Sequence, residues 1–314
     1  MGHRLVSEEQ VTPATDPDHR FGYVALIGRP NVGKSTLLNK LLGQKLSIVT
    51  AKPQTTRQQI AGIKTMAEGQ VVYLDTPGIH LAATRALNRH MNRIARAALR
   101  DVDVILFLIE AERWTLQDEH VLEALKAGEV PVILVVNKVD LVAEKARLLK
   151  FLQDKVDTSR FDHVMLISAR DGDGVRDLEN LVLRLLPFSR PFYDEDQCTD
   201  RSERFLAAEF IREQLMLRLN QELPYATTVE IEEFKREPGL LRIGAIIWVE
   251  REGQKHIVIG KGGQVLKQVG SKARIALEEL FQCKVFLRTW VKVGKDWSDD
   301  EKSLRQMGFD ETEA

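Results

Sequence analysis

Cysteine, long apolar runs and an excess of charge of either sign are all scarce in this sequence. Only two of the 314 residues are cysteine. Cys198 and Cys283 lie far apart and outside any C-x-x-C pattern, which argues against a disulfide framework and fits a reducing compartment. The longest apolar runs, such as VPVILVV, have the length of a strand and are too short to cross a membrane. The formal net charge is only −1.

The first residues also lack the usual targeting signals. There is no apolar signal core, and MGHRLV fails the myristoylation pattern because Val6 stands where Ser or Thr is needed. We therefore expect a cytoplasmic protein. Residues 1–20, polar and with two prolines, are predicted to form a flexible N-terminal tail.

Charge is distributed unevenly near the C-terminus. The stretch from His256 to Lys295 contains eight Lys or Arg residues against two Glu residues. The stretch from Asp296 to Ala314 contains seven acidic residues against two basic ones. The basic block predicts a site for an anionic partner, and residues 297–314 are predicted to be an acidic C-terminal tail.

The order of predicted elements changes once along the chain. Over residues 21–187, β-branched runs such as YVALIG and VVYLDT alternate with amphipathic stretches, which predicts an α/β domain with a mostly parallel sheet. The segment PFSRPFYDEDQCTDRSE, rich in proline and charge, indicates a linker at 188–202. Over 203–296, a helix, a hairpin around EPGL, a glycine cluster, a helix and a strand predict a smaller α+β domain.

The stretch GRPNVGKS, residues 28–35, fits the phosphate-binding pattern G-x-x-x-x-G-K-[ST]. It follows a predicted strand and precedes a predicted helix, as the motif requires. Gly28 and Gly33 permit the inward turn of backbone N–H groups around a phosphate. We expect Lys34 to bridge the β- and γ-phosphates and Ser35 to ligate Mg²⁺. The other nucleotide contacts predicted in this loop are Asn31, Val32 and Thr36.

Three further motifs follow predicted strands. Asp75 of DTPG is expected to reach Mg²⁺ through water, and the N–H of Gly78 to face the γ-phosphate. Asp140 of NKVD is expected to accept hydrogen bonds from N1–H and the exocyclic amine of guanine, which selects GTP over ATP. The Ala169 N–H of SAR is expected to meet guanine O6. The predicted base-binding residues are Asn137, Lys138, Asp140, Ser168 and Ala169.

In this order, the motifs of residues 21–187 resemble those of the translation-factor-class GTPases. The resemblance identifies KPQTTRQQI as the first switch, in which Thr56 or Thr55 ligates Mg²⁺. We favour Thr56, which directly precedes the arginine, and assign it with Lys34 to catalysis. Ile79 stands where many small GTPases have a water-orienting glutamine, so we expect slow intrinsic turnover. Asn31 either helps to bind K⁺, as in similar GTPases, or only turns the loop.

A basic stripe lies on the helix predicted after the second switch. Its arginines are spaced by three or four residues and share one helix face. They are Arg85, Arg89, Arg93, Arg96 and Arg100. The stripe is either a solvated surface or a contact with RNA or with the second domain.

The glycine cluster at 260–263 is too short for a second nucleotide loop. Its spacing excludes both the Walker and the dinucleotide patterns but fits the G-x-x-G loop of K-homology (KH) RNA-binding domains, and the element order resembles the type II arrangement. The predicted RNA-binding residues are Gly260, Lys261, Gly262, Gly263, Lys267, Lys272 and Arg274. The basic residues Lys284, Arg288 and Lys292 lie in the adjacent segments. We expect only about half of the basic side chains to touch RNA, and we expect RNA binding to depend strongly on salt. Phe286 and Trp290 are predicted to pack in the core rather than to stack on bases.

A P-loop GTPase domain followed by a type II KH domain resembles the Era family, and the likeness covers nearly the whole chain. It rests on GRPNVGKSTLLNKLLGQK, QTTR, DTPGIH, NKVD, VIGKGG and the closing WVKV…W…DDE. The resemblance implies a monomeric switch that binds GTP, GDP and Mg²⁺. It also implies binding to small-subunit ribosomal RNA near its 3′ end, a role in small ribosomal subunit biogenesis, and partial peripheral association with the inner membrane face. The rival interpretations are a GTPase of tRNA modification, for which no cysteine-based catalytic site is found, and an RNA-binding module whose nucleotide is structural.

Overall fold

The structure, a computed structural model, describes residues 19–78, 86–125, 130–220, 222–306 and 309. Almost all of the predicted N-terminal tail lies outside these residues. Ile79 and Arg85 lie outside them as well. Among the described residues, no helix combines the length and the apolar character needed to span a membrane.

The first domain is a six-stranded sheet with helices on both faces. Its strands are β1 Arg20–Ile27, β2 Ile60–Met66, β3 Gly69–Asp75, β4 Val104–Glu110, β5 Val132–Asn137 and β6 His163–Leu166. They lie in the order β2-β3-β1-β4-β5-β6, and all neighbours are parallel except β2 and β3. The prediction of a mostly parallel sheet is confirmed, but the edge strand β2 was not predicted.

Five α-helices in the described part of the first domain cover this sheet. They are α1 Lys34–Leu42, α2 Ala86–Ala97, α3 Leu116–Ala124, α4 Lys145–Lys155 and α5 Val175–Leu185. Buried side chains of α1 and α5 belong to the core on one face, and those of α2, α3 and α4 to the core on the other. This layering places the carboxyl ends of the parallel strands at one edge, where α/β proteins form their sites.

The predicted linker is attached to the first domain. Residues 188–202 form no helix or extended strand, but the Ile63 N–H of the edge strand donates to Cys198 O at 2.9 Å. The fully buried Gln70 accepts from the backbone N–H groups of Phe192 and Tyr193 and donates to Tyr193 O. The linker therefore has a fixed course along the sheet edge, which limits the positions open to the second domain.

The second domain is a three-stranded sheet with helices on one face. Its strands are β7 Thr227–Glu237, β8 Leu240–Val249 and β9 Lys284–Val293, and its helices are α6 Glu203–Arg218, α7 Glu252–Ile259 and α8 Gln264–Phe281. The predicted hairpin is present, with β7 antiparallel to β8, and β9 pairs in parallel with β8. Helix α7 was not predicted, because its eight residues directly follow the hairpin and end at the glycine cluster.

The prediction that Phe286 and Trp290 pack in the core is wrong. They are 42% and 38% exposed on the sheet face opposite the helices. Alternation along β9 explains this, because the buried Val285 and Val291 occupy the other parity. The guanidinium carbon of Arg288 lies 5.7 Å from the centre of each ring, so an intramolecular cation already covers both.

The acidic C-terminal segment folds against α2 as far as it is described. A 3₁₀ turn at Trp297–Asp299 and the helix α9 Glu301–Gln306 follow β9. The fully buried Trp297 joins Leu87 and Met91 of α2 in one apolar cluster, together with Leu304 and Phe309. The Ala86 N–H donates to Asp299 Oδ1 at 3.0 Å. The acidic composition predicted a tail, but these widely spaced apolar residues pack against α2.

The same contact assigns the two faces of α2. Leu87 and Met91 meet the C-terminal segment, and Ala95 packs in the core against the first sheet. The exposed side chains are Arg89, Arg93 and Arg96 on α2 and Arg100 just beyond it. The helix thus contacts the C-terminal segment through apolar side chains, and Arg93 lines a small cavity with Glu301 and Leu304 of that segment. A contact of the arginines with RNA or with the second domain stays a prediction.

Candidate functional site

The loop from Gly28 to Ser35 has glycine where the fold leaves no room for a side chain. Gly28 and Gly33 have φ angles of 154° and 106°. A Cβ at Gly33 would lie 2.2 Å from Asn137 Nδ2, and one at Gly28 would lie 2.5 Å from Leu108 O. The loop therefore packs against β4 and β5, and its inward course depends on both glycines.

Lys34, the first residue of α1, turns back over this loop. Its Nζ donates to Gly28 O at 3.0 Å and to Arg29 O at 3.2 Å. Burial lowers the pKa of Lys34 to about 8, an effect that the nearby Asp75 opposes. A buried ammonium held by two neutral carbonyls gains a stronger, charge-assisted hydrogen bond when an anion replaces them, as expected for a phosphate-binding lysine.

Three hydroxyl groups converge on the carboxylate of Asp75 at the end of β3. Its Oδ2 accepts from Ser35 Oγ at 2.7 Å, Ser47 Oγ at 2.8 Å and Thr56 Oγ1 at 3.3 Å. The oxygens of Ser35 and Thr56 are 2.9 Å apart. Asp75 is fully buried, its Oδ1 has no hydrogen-bond partner among the described residues, and burial raises its pKa.

This cluster fits a magnesium ion. Hydroxyl and carboxylate oxygens are the hard ligands that Mg²⁺ prefers, and a cation would compensate the buried carboxylate and its unsatisfied oxygen. The geometry also separates the two candidate threonines. Thr55 Oγ1 donates to Lys52 O at 2.7 Å, whereas Thr56 meets Ser35 and Asp75. Ser47 was not predicted, because no motif contains it.

The predicted base-binding residues lie together beside the loop. Asn137 donates to Val32 O at 2.8 Å and accepts from the Ala169 N–H at 2.9 Å. Asp140 accepts from Ser168 Oγ at 2.7 Å. The Ala169 N–H assigned to guanine O6 thus already donates to Asn137 Oδ1, and a base contact would have to share it.

Two residues absent from the predictions complete this region. Arg170 forms an ion pair with Asp140 at 2.9 Å and is 67% exposed, so the carboxylate has a displaceable cation beside it. Glu110 pairs with Arg29 at 2.8 Å and with Lys138 at 3.1 Å. Glu110 therefore connects the phosphate-binding loop to the NKVD motif.

The structure also gives the contacts and burial of the other residues predicted to bind the nucleotide near the phosphates. Asn31 has a φ of 66°, and its Nδ2 donates to Ala51 O at 3.0 Å. Val32 is fully buried, and Thr36 is partly exposed on the first turn of α1. A Cβ on Gly78 would lie 2.9 Å from Pro30 N, so DTPG lies directly against the loop.

The first switch is bound to the second domain through Arg57. This side chain is 1% exposed, and it adjoins Thr56 in the sequence. Its guanidinium donates to the carbonyls of Thr227 at 2.7 Å, Tyr225 at 2.9 Å and Pro224 at 3.1 Å. The candidate Mg²⁺ ligand is thus one residue away from a buried interdomain contact.

Helix α6 binds the segment that leads into the switch. Glu213 of α6 pairs with Lys45 Nζ at 2.5 Å and accepts from the Val49 N–H at 3.0 Å. Lys52 Nζ donates to Met216 O and Leu219 O at the end of α6. A change in the conformation of the switch therefore disturbs contacts with α6.

The second glycine cluster connects α7 to α8. Gly260, Gly262 and Gly263 have φ angles of 73°, 60° and 76°. A Cβ at Gly260 would lie 2.4 Å from Val265 Cγ2, whereas Cβ atoms at Gly262 and Gly263 would meet only open space. Gly260 is therefore needed for packing, while the other two leave the backbone accessible at the start of an 18-residue helix.

The structure separates the predicted RNA-binding side chains into two groups. Lys261 and Lys267 are exposed at or near the glycine loop. Lys272 lies beside α6, where it lines a cavity of about 110 Å³ with Leu217. Arg274 pairs with Glu278 at 2.8 Å, farther along α8.

Two family comparisons match this division of the chain. Residues 23–138 match a family described as "50S ribosome-binding GTPase", and residues 222–298 match the family "KH domain". GTPase Era of Stenotrophomonas maltophilia is 55% identical over 292 residues, which cover 93% of this chain and 98% of that protein. GTPase Era of Xanthomonas oryzae pv. oryzae is 54% identical over 296 residues, covering 94% and 99%.

Two solved structures have the same architecture. One is Era in complex with MgGDPNP and nucleotides 1506–1542 of 16S ribosomal RNA, with 39% identity, a TM-score of 0.90 and coverage of 93% of this chain and 99% of that one. The other is a variant of Aquifex aeolicus Era bound to GDP and AlF4⁻, with 39% identity, a TM-score of 0.89 and coverage of 92% and 99%. With relatives this similar over nearly its whole length, the chain belongs to the Era family of GTPases.

Proposed function

We propose that this protein hydrolyses GTP in its first domain and binds small-subunit ribosomal RNA near the 3′ end through its KH domain. This switch would act in small ribosomal subunit biogenesis. The observation that supports it most is the convergence of Ser35, Thr56 and Asp75 beside Lys34, in a chain whose KH glycine loop exposes Lys261 and Gly262. The solved relative that contains both MgGDPNP and 16S ribosomal RNA supports the combination.

In the proposed site, each residue has a separate role. Lys34 exchanges its two carbonyl partners for the β- and γ-phosphates, and Gly78 brings a backbone N–H to the γ-phosphate. Ser35, Thr56 and Asp75 would hold Mg²⁺, which neutralises charge on the transferred phosphoryl group. Asp140, oriented by Ser168, accepts from guanine.

Phosphate release from GTP tests the enzymatic part. We expect Lys34→Ala to abolish most turnover, while Lys155→Ala, an exposed lysine at the end of α4, leaves it unchanged. Equal turnover in Lys34→Ala and the unsubstituted protein would favour an RNA-binding module with a structural nucleotide.

We propose the small subunit because the relative bound to 16S ribosomal RNA matches more of this chain than the family named for the 50S particle does. The family whose description names the 50S particle matches residues 23–138 alone, whereas the relative bound to 16S ribosomal RNA spans 93% of this chain. We expect binding to an oligonucleotide matching the 3′ end of 16S ribosomal RNA, and little binding to a scrambled one. Lys261→Glu should weaken it strongly, and the matched control Lys150→Glu, on α4, should not. Equal binding of both oligonucleotides would contradict the proposed RNA.

We infer that Asn31 takes part in binding K⁺ beside the phosphates. Within the described part of the chain, the Asn31 side chain bonds to the carbonyl of Ala51, the residue before the first switch, and it is exposed, so it is accessible to an ion. Hydrolysis should be faster in KCl than in NaCl, and Asn31→Ala should remove the difference. Equal rates of the unsubstituted protein in both salts would leave Asn31 the role of turning the loop.

We further infer, from family resemblance, a cytoplasmic monomer with partial peripheral membrane association. The exposed basic side chains of the KH domain suit an anionic surface. Sedimentation with vesicles of anionic lipid, compared with neutral vesicles, tests the association. No pelleting with either would contradict it, and light scattering of the free protein reports the oligomeric state.

A further inference from the structure

Ser47 is a buried hydroxyl beside the proposed Mg²⁺ ligands, and it belongs to no nucleotide-binding motif. It lies between the end of α1 and the first switch and is 0% exposed. Its Oγ donates to Asp75 Oδ2 at 2.8 Å, about as close as the 2.7 Å bond from Ser35. Of the three hydroxyls on this oxygen, it is the one with no proposed role as a ligand.

One amide side chain fixes the main chain of Ser47 on both sides. Asn39 Oδ1 accepts from the N–H groups of Leu46 at 2.9 Å and of Ser47 at 2.8 Å. Asn39 Nδ2 donates to Ser47 O at 2.7 Å. Asn39 lies on α1 four residues after Ser35, on the same helix face. The helix that begins at the phosphate-binding loop therefore also sets the position of Ser47.

Asp75 needs such a partner more than an exposed carboxylate would. It is fully buried, and its Oδ1 has no hydrogen-bond partner within the described part of the chain. Every donor on Oδ2 therefore stabilises the charge and limits rotation of the carboxylate. Thr56 belongs to a switch and is expected to move with the nucleotide, and Ser35 is expected to share its hydroxyl oxygen with the Mg²⁺. Ser47, held by Asn39, has neither constraint.

We propose that Ser47, held by Asn39, is a positioning residue that keeps Asp75 oriented toward Mg²⁺ and so sets the metal affinity of the site. The inference rests on the proposed GTPase function, because it presumes that Mg²⁺ binds at Asp75. Partners of this kind, one shell outside a metal, typically change metal affinity by about 10- to 100-fold when removed.

The test measures release of fluorescent GDP from the full chain at a series of Mg²⁺ concentrations and in EDTA. For Ser47→Ala we expect the Mg²⁺ concentration that gives half-maximal retention of GDP to rise by about tenfold or more. Release in EDTA should stay as in the unsubstituted protein. Ser47→Thr keeps the hydroxyl and should restore the response to Mg²⁺. Asn39→Ala should reproduce the effect of Ser47→Ala, since it frees the same segment.

The outcomes separate the inference from the function on which it rests. A Ser47→Ala variant with unchanged Mg²⁺ dependence overturns the role of Ser47. So does a variant that releases GDP faster by the same factor with Mg²⁺ and with EDTA, because Ser47 would then only support the fold around the nucleotide. If Mg²⁺ fails to slow release even from the unsubstituted protein, the proposed Mg²⁺ site itself is refuted. Thermal unfolding in EDTA checks that each variant is folded.

Discussion

Replacing Arg57 with alanine tests whether the first switch is fixed to the second domain. The guanidinium is 1% exposed and donates to the carbonyls of Thr227, Tyr225 and Pro224 over 2.7, 2.9 and 3.1 Å. Its carbon atom also lies 5.9 Å from the ring centre of the buried Trp297. Arg57→Ala removes the donor from all three carbonyls and leaves a gap beside the indole.

The size of the effect follows from these contacts. A hydrogen bond to a charged group contributes about 1.5–3 kcal/mol. Arg57→Ala loses three such bonds, and water that enters the gap can satisfy part of the carbonyls, so we expect a cost of about 3–5 kcal/mol in total. Since 1.36 kcal/mol corresponds to a factor of ten, local opening of the contact should become about 150- to 5,000-fold more frequent.

Hydrogen–deuterium exchange measures this opening directly. Amides of residues 222–228 and of the switch at 52–60 should exchange faster by that factor in Arg57→Ala, while the strands of the first sheet keep their protection. Arg113→Ala is a matched control, because Arg113 is 62% exposed and has a loose ion pair with Glu110 at 3.6 Å. Exchange of residues 222–228 within threefold of the unsubstituted protein would refute the assigned role of Arg57.

Three further predictions concern single sites. Burial lowers the pKa of Lys34 to about 8 in the free protein, and bound phosphate raises it again. GTP affinity should therefore be full below pH 8 and fall by up to about tenfold per pH unit above it. Calorimetric titration from pH 7 to 9.5 tests this, and Lys34→Arg, which stays charged, should lack that part of the slope. Asp140→Asn should weaken GTP binding by about 10- to 150-fold, the value of one of the two charge-assisted hydrogen bonds expected from guanine, and should improve binding of xanthine nucleotides. Retained GTP preference would contradict the role of Asp140. Gly260→Ala should lower the free energy of unfolding by about 1–3 kcal/mol because its Cβ meets Val265, whereas Gly262→Ala, in open space, should cost about 1 kcal/mol and mainly weaken RNA binding. Urea unfolding and RNA titration of the two variants test these roles. A larger loss of stability in Gly262→Ala and a larger loss of RNA affinity in Gly260→Ala would contradict them.

On strand β9 of the KH domain, alternation decides which side chains are exposed, and residue type does not. Period-two alternation along KVFLRTWVKV already places Phe286 and Trp290 opposite Val285 and Val291. The prediction of a core position followed residue type instead of parity. For Trp297 the reverse holds. Its acidic neighbours predicted an exposed tail, but its indole is fully buried.

By itself, the sequence determined the two folds and the set of nucleotide motifs. The phosphate loop, DTPG, NKVD and SAR each follow a strand of the parallel part of the sheet. Parallel strands end at the same edge, so Lys34, Asp75 and Asp140 lie at that edge whatever course the connections take. Only the tertiary structure decided that Ser47 reaches Asp75, that Arg57 enters the second domain and that Trp297 covers α2. Each of these contacts has one member outside the strands and α-helices, and the contact of Arg57 with Thr227 spans 170 residues. No periodicity sets the course of such segments. Asn39 of α1 fixes the position of Ser47, and packing between the domains fixes those of Arg57 and Trp297.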